Sequence, residues 1–283
     1  MTEQTYVAEI SRRNPTCVVF LIDQSGSMMD PFGRTPGKVK AQGVADALNS
    51  LLQNLVLKCV NGNEIREYIY LSIVGYGGAN ASPALLGALK GKDIVSVGEL
   101  AHNTARTDVV DDGNGGQAKR PVWFDAVGSG ETPMKAAFEK ARAIVADFLS
   151  GHQKCFPPIV INITDGIYTG EDPTSSAESI GRLSSEDGNV LLFNLHIADS
   201  AESPVHFPDN DAQLRDQYAK WLFNISSTLP APFVQAAIAE GFSNISSTSR
   251  GFVYNGDFNS VVKFFNIGTD PARSDKRSVS VAG

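Results

Sequence analysis

Three oxygen-bearing side chains follow one another at alternate positions directly after the first apolar segment of the chain. They are Asp23, Ser25 and Ser27, and Gly26 between the serines permits a tight turn. In such a turn, alternate spacing can point the carboxylate and both hydroxyls toward one position. Taken alone, the same pattern is also typical of a polar turn that caps the next helix, so both interpretations stay open at this point.

Two later segments add further oxygen donors. Thr132 precedes Pro133 at the start of a helix-like segment, and Asp165 precedes Gly166 at the end of an apolar run. Together with the first segment they supply two carboxylates and three hydroxyls, without an imidazole or a thiolate. Hard oxygen donors of this kind suit Mg²⁺ or Mn²⁺. Because the carboxylates are so few, such a set leaves room for an acidic group from a partner.

Several of these residues also have a purely structural interpretation. Thr132 could cap the helix that follows it, Ser27 could cap the segment after it, and Asp165 could simply begin a turn. The coincidence of all five residues favours one common site over separate turns and caps.

The elements that must position these residues follow from the periodicity of the apolar positions. Continuous apolar runs, typical of strands buried on both faces, predict strands over residues 17–22, 67–74, 159–163 and 190–197. Helices are predicted over residues 39–56, 134–148 and 174–185. Strands that alternate with helices predict an α/β fold with a doubly wound, mostly parallel, Rossmann-like sheet flanked by helices. Ligands bind outside the carboxyl ends of the strands in such sheets, which is where Asp23 and Asp165 fall.

The remaining segments lack this rhythm. Residues 107–120 are polar and predict a mobile loop, and residues 94–97 predict a weak strand. Residues 205–239 predict helical pieces, and a last strand over 251–254 is followed by a predicted helical turn over 260–265.

The runs FLIDQSGSM, GETPM and INITDG resemble the metal-ion-dependent adhesion site (MIDAS) of von Willebrand factor A (vWA) domains. The resemblance implies that Ser25, Ser27 and Thr132 are ligands of the metal ion, and that Asp23 and Asp165 anchor the site and its waters. It further implies Mg²⁺ as the ion, with Mn²⁺ or Ca²⁺ as alternatives. The free coordination position of such a site accepts Glu or Asp from a partner protein.

The resemblance also implies how the chain is divided. We expect an N-terminal arm over residues 1–14, one vWA domain over residues 15–268 and a flexible tail over residues 269–283. Because a vWA core is shorter than this domain, we assign the surplus to insertions at about residues 77–130 and 205–249.

Composition and charge restrict the partners. The 283 residues carry a formal net charge of −7, and this acidic balance excludes a general nucleic-acid surface, which needs a basic stripe. The three cysteines are dispersed without a CxxC pair, and the chain has neither an apolar run of membrane-spanning length nor a secretion signal at its start. We therefore expect a cytoplasmic protein that does not contact membranes.

Three functional interpretations follow. A metal-dependent protein–protein interaction module, without enzymatic activity, is favoured. The alternative is a Mg²⁺-dependent phosphohydrolase with Asp23 as nucleophile, but such enzymes usually carry a second aspartate two residues on, where this chain has Ser25. A degenerate scaffold that binds partners without a metal is disfavoured by the complete five-residue set.

The biological setting is inferred from the family resemblance alone. Cytoplasmic bacterial vWA proteins often act with protein kinases, phosphatases or AAA+ ATPases, and some resemble tellurite-resistance and stress-response components. By this fold-level analogy, we expect a regulatory or scaffolding component of a stress-response or signalling system.

Overall fold

The structure, a computed structural model, describes residues 6–32, 37–111, 116–197, 203–257, 260, 263 and 264. Its strands are β1 (Thr16–Asp23), β2 (Val60–Asn61), β3 (Glu64–Ile65), β4 (Ile69–Gly77), β5 (Asn80–Pro83), β6 (Val95–Ser96), β7 (Arg106–Asp111), β8 (Gln117–Val122), β9 (Ile159–Thr164), β10 (Ser184–Ser185), β11 (Gly188–Asn189), β12 (Leu191–Ile197), β13 (Val205–His206) and β14 (Phe252–Gly256). Its α-helices are α1 (Lys40–Cys59), α2 (Val97–His102), α3 (Met134–Gly151), α4 (Thr174–Gly181), α5 (Gln217–Ile225) and α6 (Ala231–Ala239). Short 3₁₀ helices span Gly26–Met29 and Gly87–Leu89.

The main sheet is mostly parallel. Its spatial order is β13, β14, β12, β9, β1, β4, β5, and β6 also pairs with β4. The five central strands pair in parallel, whereas β5, β6 and β13 pair antiparallel with their neighbours. Helices pack on both faces of this sheet, so the predicted doubly wound α/β fold is confirmed.

Strand β1 lies inside the sheet, between β9 and β4, and separates two hydrophobic cores. Its side chains alternate between the faces, as expected for a strand. One set packs with residues of α1, and it consists of Val18, Phe20 and Ile22. The other set packs with residues of α3, and it consists of Cys17, Val19 and Leu21. Burial on both faces explains why the sequence of β1 is an unbroken apolar run.

The chain order reverses at β1. The strand has β4 on one side and β9 on the other, and Ile22 is in register with Ile163 of β9. Because the pair is parallel, the chain leaves both strands at the same edge of the sheet. A crevice forms at such a reversal, and ligands of doubly wound folds bind there.

Two glycines in β4 make room for the residue that follows β1. The strand runs to Gly77, three residues beyond its predicted end. A Cβ atom at Gly75 would lie 2.1 Å from Oε1 of Gln24, and one at Gly77 would lie 2.6 Å from the carbonyl oxygen of Gln24. Gly77 therefore requires glycine, because its neighbour is the backbone of Gln24, whereas at Gly75 the flexible end of the Gln24 side chain would have to move.

The predicted mobile loop over residues 107–120 is wrong. Strands β7 and β8 form an antiparallel hairpin there, and its tip lies outside the described residues. Ion pairs hold the hairpin in place. Arg106 donates hydrogen bonds of 2.6 and 3.1 Å to the carboxylate of Asp125, and Arg120 forms a 2.7 Å ion pair with Asp46 of α1.

Two shorter elements also differ from the prediction. Helix α4 ends at Gly181, before the predicted residue 185, because Ser184–Ser185 pairs with Gly188–Asn189 in a small hairpin. The weak strand expected over residues 94–97 is the two-residue strand β6. Helix α2 follows it at once, and a capping box of Ser96 and Glu99 starts that helix.

The ends of the chain are described in part. In the predicted N-terminal arm, the backbone amides of Val7 and Ala8 donate hydrogen bonds to the carboxylate of Asp187. The predicted tail over residues 269–283 lies outside the described residues, as does part of the helical turn predicted over 260–265. In the described part of the chain, no helix has the length and apolarity needed to cross a membrane.

Candidate functional site

Three loops meet at the carboxyl edge of β1 and β9. The first loop (residues 24–30) follows β1, the second loop (residues 125–133) precedes α3, and the third loop (residues 165–173) follows β9. Backbone hydrogen bonds join them. In each bond a backbone amide donates to a carbonyl oxygen. The amide of Gly26 donates to Gly130 (3.1 Å) and the amide of Ser129 to Gln24 (2.8 Å). The amide of Thr169 donates to Thr132 (3.0 Å). The five predicted site residues lie on these loops or at the last residue of β1.

Asp23 lies at the base of this cluster and is fully buried. Its Oδ1 accepts a 2.8 Å hydrogen bond from the amide of Ser25, and its Oδ2 accepts a 2.7 Å hydrogen bond from the hydroxyl of Thr164. Burial raises the pKa of Asp23 to about 6, although the hydrogen bonds from Ser25 and Thr164 oppose this rise. The carboxylate is therefore held in one orientation by the first loop and by β9.

A continuous row of hydrogen bonds joins Ser25, Ser27 and Asp165. The hydroxyls of Ser25 and Ser27 are 3.2 Å apart, and the hydroxyl of Ser27 donates to Oδ1 of Asp165 at 2.7 Å. Ser25 is buried, whereas Ser27 is exposed. The row therefore reaches solvent at Ser27, between the buried side chains of Ser25 and Asp165. The hydroxyl of Ser27 contacts Asp165 and not a helix end, which disfavours the interpretation of Ser27 as a cap.

Thr132 stands apart from this row. Its backbone amide donates a 3.0 Å hydrogen bond to the hydroxyl of Thr169. Helix α3 begins at Met134 without a side-chain cap, so Thr132 is not the cap that its sequence position allowed. Among the described residues, no hydrogen bond joins the side chain of Thr132 to the other four predicted residues. Its loop reaches them through the bond between Gly26 and Gly130.

Lys40 belongs to the site and was not predicted from the sequence. Its Nζ lies 2.9 Å from Oδ2 of Asp165, with 8% of the Lys40 side chain and 0% of the Asp165 side chain exposed. The carboxylate of Asp165 thus bridges Ser27 and Lys40. A pattern in the sequence could have revealed this residue. Lys40 precedes Val44 by four positions and Leu48 by eight, so a cation occupies the buried stripe of α1.

Aromatic rings line one side of the site. Tyr168 of the third loop lies 5.3 Å from Trp221 of α5, and Tyr218 stacks on Trp221 at 5.5 Å between ring centroids. All three side chains are half-buried. Burial raises the pKa of Tyr218, so this residue is a neutral hydrogen-bonding group at physiological pH.

Large apolar side chains are exposed on all three loops. Met29 is 49% exposed on the first loop, Val127 is 45% exposed on the second and Ile167 is 66% exposed on the third. Met29 lies over the second loop, since a Cβ atom at Gly128 would be 2.6 Å from its Cγ. We call Met29, Val127 and Ile167 the apolar rim. Exposed apolar groups around a polar centre are typical of protein-binding surfaces.

The donor chemistry of the site fits a hard divalent cation. Hydrogen bonds connect Asp23, Ser25, Ser27 and Asp165, and Thr132 is buried on the adjoining second loop. Within the described ranges, no three or more His, Cys, Asp and Glu side chains gather as a metal cluster, so carboxylates alone do not form a site. A set of few carboxylates and several hydroxyls suits Mg²⁺ with water completing the octahedron. The ion pair of Lys40 is the one feature that this chemistry does not require.

The fold and the loop cluster define an α/β protein with an oxygen-lined crevice at the reversal point of a doubly wound sheet. No protein-family model matches the sequence, and no curated protein is significantly similar to it. Similar solved structures include the vWF domain of the type V pili tip protein Mfa5 from Porphyromonas gingivalis, with 16% identity and a TM-score of 0.34 over 56% of this chain and 40% of that chain.

Two other solved structures are also similar. The ArnB paralog VWA2 from Sulfolobus acidocaldarius has 14% identity and a TM-score of 0.36 over 65% of this chain and 35% of that chain. The PilB minor pilin from Streptococcus sanguinis has 12% identity and a TM-score of 0.44 over 91% of this chain and 61% of that chain. This chain therefore spans less than two thirds of each of these structures, and at such identities the likeness concerns the fold alone.

Proposed function

We propose that this protein is a metal-dependent protein–protein interaction module. In this proposal Ser25, Ser27 and Thr132 are ligands of a divalent cation, and Asp23 and Asp165 anchor the site and its waters. The cation is Mg²⁺ first, with Mn²⁺ or Ca²⁺ as alternatives. The observation that carries the proposal is the hydrogen-bonded row of Ser25, Ser27 and Asp165 at the carboxyl edge of β1 and β9. A bound ion supplies a Lewis-acidic position that accepts a Glu or Asp carboxylate from a partner.

The chain's own residues prepare this binding. Thr164 and the amide of Ser25 hold Asp23 in one orientation beneath the crevice. The serine hydroxyls add oxygen donors without adding charge. The negative charge at the site is therefore limited to the two carboxylates, which keeps its repulsion of an acidic partner small. This matters because the whole chain carries a formal net charge of −7, and an acidic partner needs a local positive focus.

The apolar rim supports a protein as the bound partner. Met29, Val127 and Ile167 are exposed on the three loops that carry the site residues, so they are available to a partner that binds there. A small inorganic anion would gain no binding energy from such apolar contacts. A partner segment with an acidic residue flanked by apolar residues satisfies both the polar centre and the rim.

The proposal does not include catalysis by Asp23. A nucleophilic aspartate must present a free oxygen to its substrate, whereas Asp23 is fully buried and both of its oxygens accept hydrogen bonds. The competing Mg²⁺-dependent phosphohydrolase is tested directly. Phosphatase activity that requires Mg²⁺ and disappears in Asp23→Asn would support that alternative over the interaction module.

We extend the proposal to the biological setting that the sequence resemblance implies. The protein is then a regulatory or scaffolding component of a bacterial stress-response or signalling system in the cytoplasm. Its partner is a protein kinase, a phosphatase or an AAA+ ATPase. Mass spectrometry of proteins captured in Mg²⁺ and released by EDTA identifies the partner and tests this extension.

Ion binding is the first experiment. Isothermal titration of the whole chain with Mn²⁺ and Mg²⁺ gives saturable binding, which Asp23→Ala and Asp165→Asn weaken at least tenfold. Asp93→Ala is the matched control, because Asp93 pairs with Lys140 on the surface away from the site. Partner capture that survives both site variants and EDTA would contradict the proposal, as would wild-type protein that binds neither ion.

A further inference from the structure

The pair of Lys40 and Asp165 is costly to bury and therefore calls for an explanation. Both side chains are almost completely removed from water, with 8% and 0% exposed. Taking two opposite charges out of water costs free energy that their attraction repays only in part. The 2.9 Å bond between Nζ and Oδ2 supplies that attraction here.

The position of Lys40 adds a second cost. Lys40 is the first residue of α1, a helix of 20 residues that begins without a side-chain cap. The amino terminus of a helix carries the positive end of its dipole, so a cation is disfavoured there. Asp165 compensates for both the burial and the dipole, which ties this lysine to the third loop.

Asp165 is completely engaged as a result. Its Oδ1 accepts the hydroxyl of Ser27 at 2.7 Å, and its Oδ2 accepts Nζ of Lys40. The ammonium group thus satisfies the carboxylate that the proposed function assigns to the divalent cation. The ammonium group of Lys40 therefore occupies a position next to Asp165 that the proposed divalent cation would also need.

We propose that Lys40 is a tethered cation that opposes loading of the divalent ion at Asp165 and so sets the ion concentration at which the site fills. The inference rests on the proposed metal site and adds a determinant of its affinity. Ion loading either displaces Nζ from Oδ2 or proceeds against the charge of Nζ. Both routes weaken binding, so the direction of the effect does not depend on which route is taken.

Removal of the charge should therefore strengthen ion binding. A single and a double positive charge separated by roughly 5 Å repel each other enough, even at the dielectric constant of water, to change an affinity about tenfold. We expect Lys40→Gln to lower the Kd for Mn²⁺ about tenfold or more. Lys40→Arg keeps the charge and should stay near the wild-type Kd.

The experiment is isothermal titration of the full chain with Mn²⁺ alone. Lys38→Gln is the matched control, since Lys38 lies two residues away and pairs with Asp46 at 2.7 Å. Its Kd for Mn²⁺ should stay within threefold of wild type. The ion-free Lys40→Gln protein should also melt at a lower temperature than wild type and recover with Mn²⁺, because the ion replaces the lost partner of Asp165.

The outcomes separate this inference from the proposed function. If wild type binds Mn²⁺ and Lys40→Gln binds it no more tightly, the role of Lys40 is overturned while the metal site stands. If neither protein binds Mn²⁺, the metal site is overturned and the role of Lys40 with it.

A second measurement needs no neutral variant, in case Lys40→Gln fails to fold. In wild-type protein labelled with ¹⁵N-lysine, the Lys40 ammonium resonance, assigned through Lys40→Arg, should shift as Mg²⁺ saturates the site. A resonance that does not change through saturation would overturn the inference.

Discussion

Thr164 and Asp23 lie at the ends of two neighbouring parallel strands and share a 2.7 Å hydrogen bond from Oγ1 of Thr164 to Oδ2 of Asp23. Both side chains are fully buried. The bond links β9 to β1 just beneath the crevice. It therefore couples the position of the third loop to that of the first, and it fixes the carboxylate that the sequence placed at the centre of the site.

Thr164→Val tests this coupling. Valine preserves the shape but leaves Oδ2 of buried Asp23 without its donor, so the free energy of unfolding should fall by about 1–3 kcal/mol in urea denaturation. Because Asp23 is then free to reorient, the Kd for Mn²⁺ should rise about tenfold in isothermal titration. Thr164→Ser retains the hydroxyl and should restore ion binding. Equal Mn²⁺ affinity in wild type and Thr164→Val would show that the bond serves stability alone.

The glycines of β4 provide a test from the opposite side of the first loop. A Cβ atom at Gly77 would lie 2.6 Å from the carbonyl oxygen of Gln24, so Gly77→Ala should displace this loop, destabilise the protein by about 1–3 kcal/mol and weaken Mn²⁺ binding. Gly181→Ala is the matched control. A Cβ at Gly181 meets nothing within 4 Å, and this variant should retain both stability and ion affinity. Unchanged Mn²⁺ binding in Gly77→Ala would show that the first loop does not depend on β4.

Much of the fold was predictable because its strands are buried on both faces. Apolar runs such as the one at β1 predict strands on composition alone. The residue at which such a run ends then lies at the carboxyl edge of the sheet, where the site is found. The hairpin of β7 and β8 was not predictable, since Arg106 and Arg120 act through Asp125 and Asp46, which the local sequence does not connect to them. A hairpin whose strands are rich in polar residues has the same composition as a loop, so composition does not distinguish the two.

The site was predictable in its residue types and not in its charge balance. Asp23, Ser25 and Ser27 form a local motif, so their spacing alone indicates oxygen donors. Lys40 acquires its role only through Asp165, which lies 125 residues farther along the chain. A lysine in the buried stripe of a helix indicates a buried partner, but the sequence does not name that partner.

His196 gives the protein a specific dependence on pH. Burial lowers the pKa of this histidine to about 4 from the usual 6.5, and its Nδ1 accepts a 3.4 Å hydrogen bond from the amide of Asn255. Between these values the unfolded chain binds the proton and the folded chain does not. The free energy of unfolding should therefore fall as the pH falls from about 6.5 to 4, by at most about 3 kcal/mol from this residue.

The contribution of His196 is isolated by comparison with His196→Asn in urea denaturation at several pH values. Asp23 acts in the opposite direction, because its raised pKa favours the folded state as the pH falls through about 6. His196→Asn retains the contribution of Asp23. The difference between the two profiles therefore gives the contribution of His196 to the free energy of unfolding. Parallel profiles for wild type and variant would contradict the prediction.

The apolar rim separates partner binding from ion binding. Ile167→Ser and Met29→Ser remove exposed apolar surface, so both should leave the free energy of unfolding within about 0.5 kcal/mol of wild type and the Kd for Mn²⁺ unchanged. Capture of the partner recovered in Mg²⁺ should weaken at least fivefold. Ile238→Ser on α6 removes a similarly exposed side chain away from the loops and should not affect capture. Equal losses in all three variants would argue against a rim that is specific to the site.

The bridge between Lys40 and Asp165 also bears on how the protein is made. A crevice lined by carboxylates alone is repulsive until an ion arrives, so a newly synthesised chain would depend on the supply of that ion to complete its structure. Here the helix that follows the first loop carries a counter-ion of its own. If the proposed metal site is correct, we expect the chain to reach its native state without a metal, and ion supply to govern only what the finished protein binds.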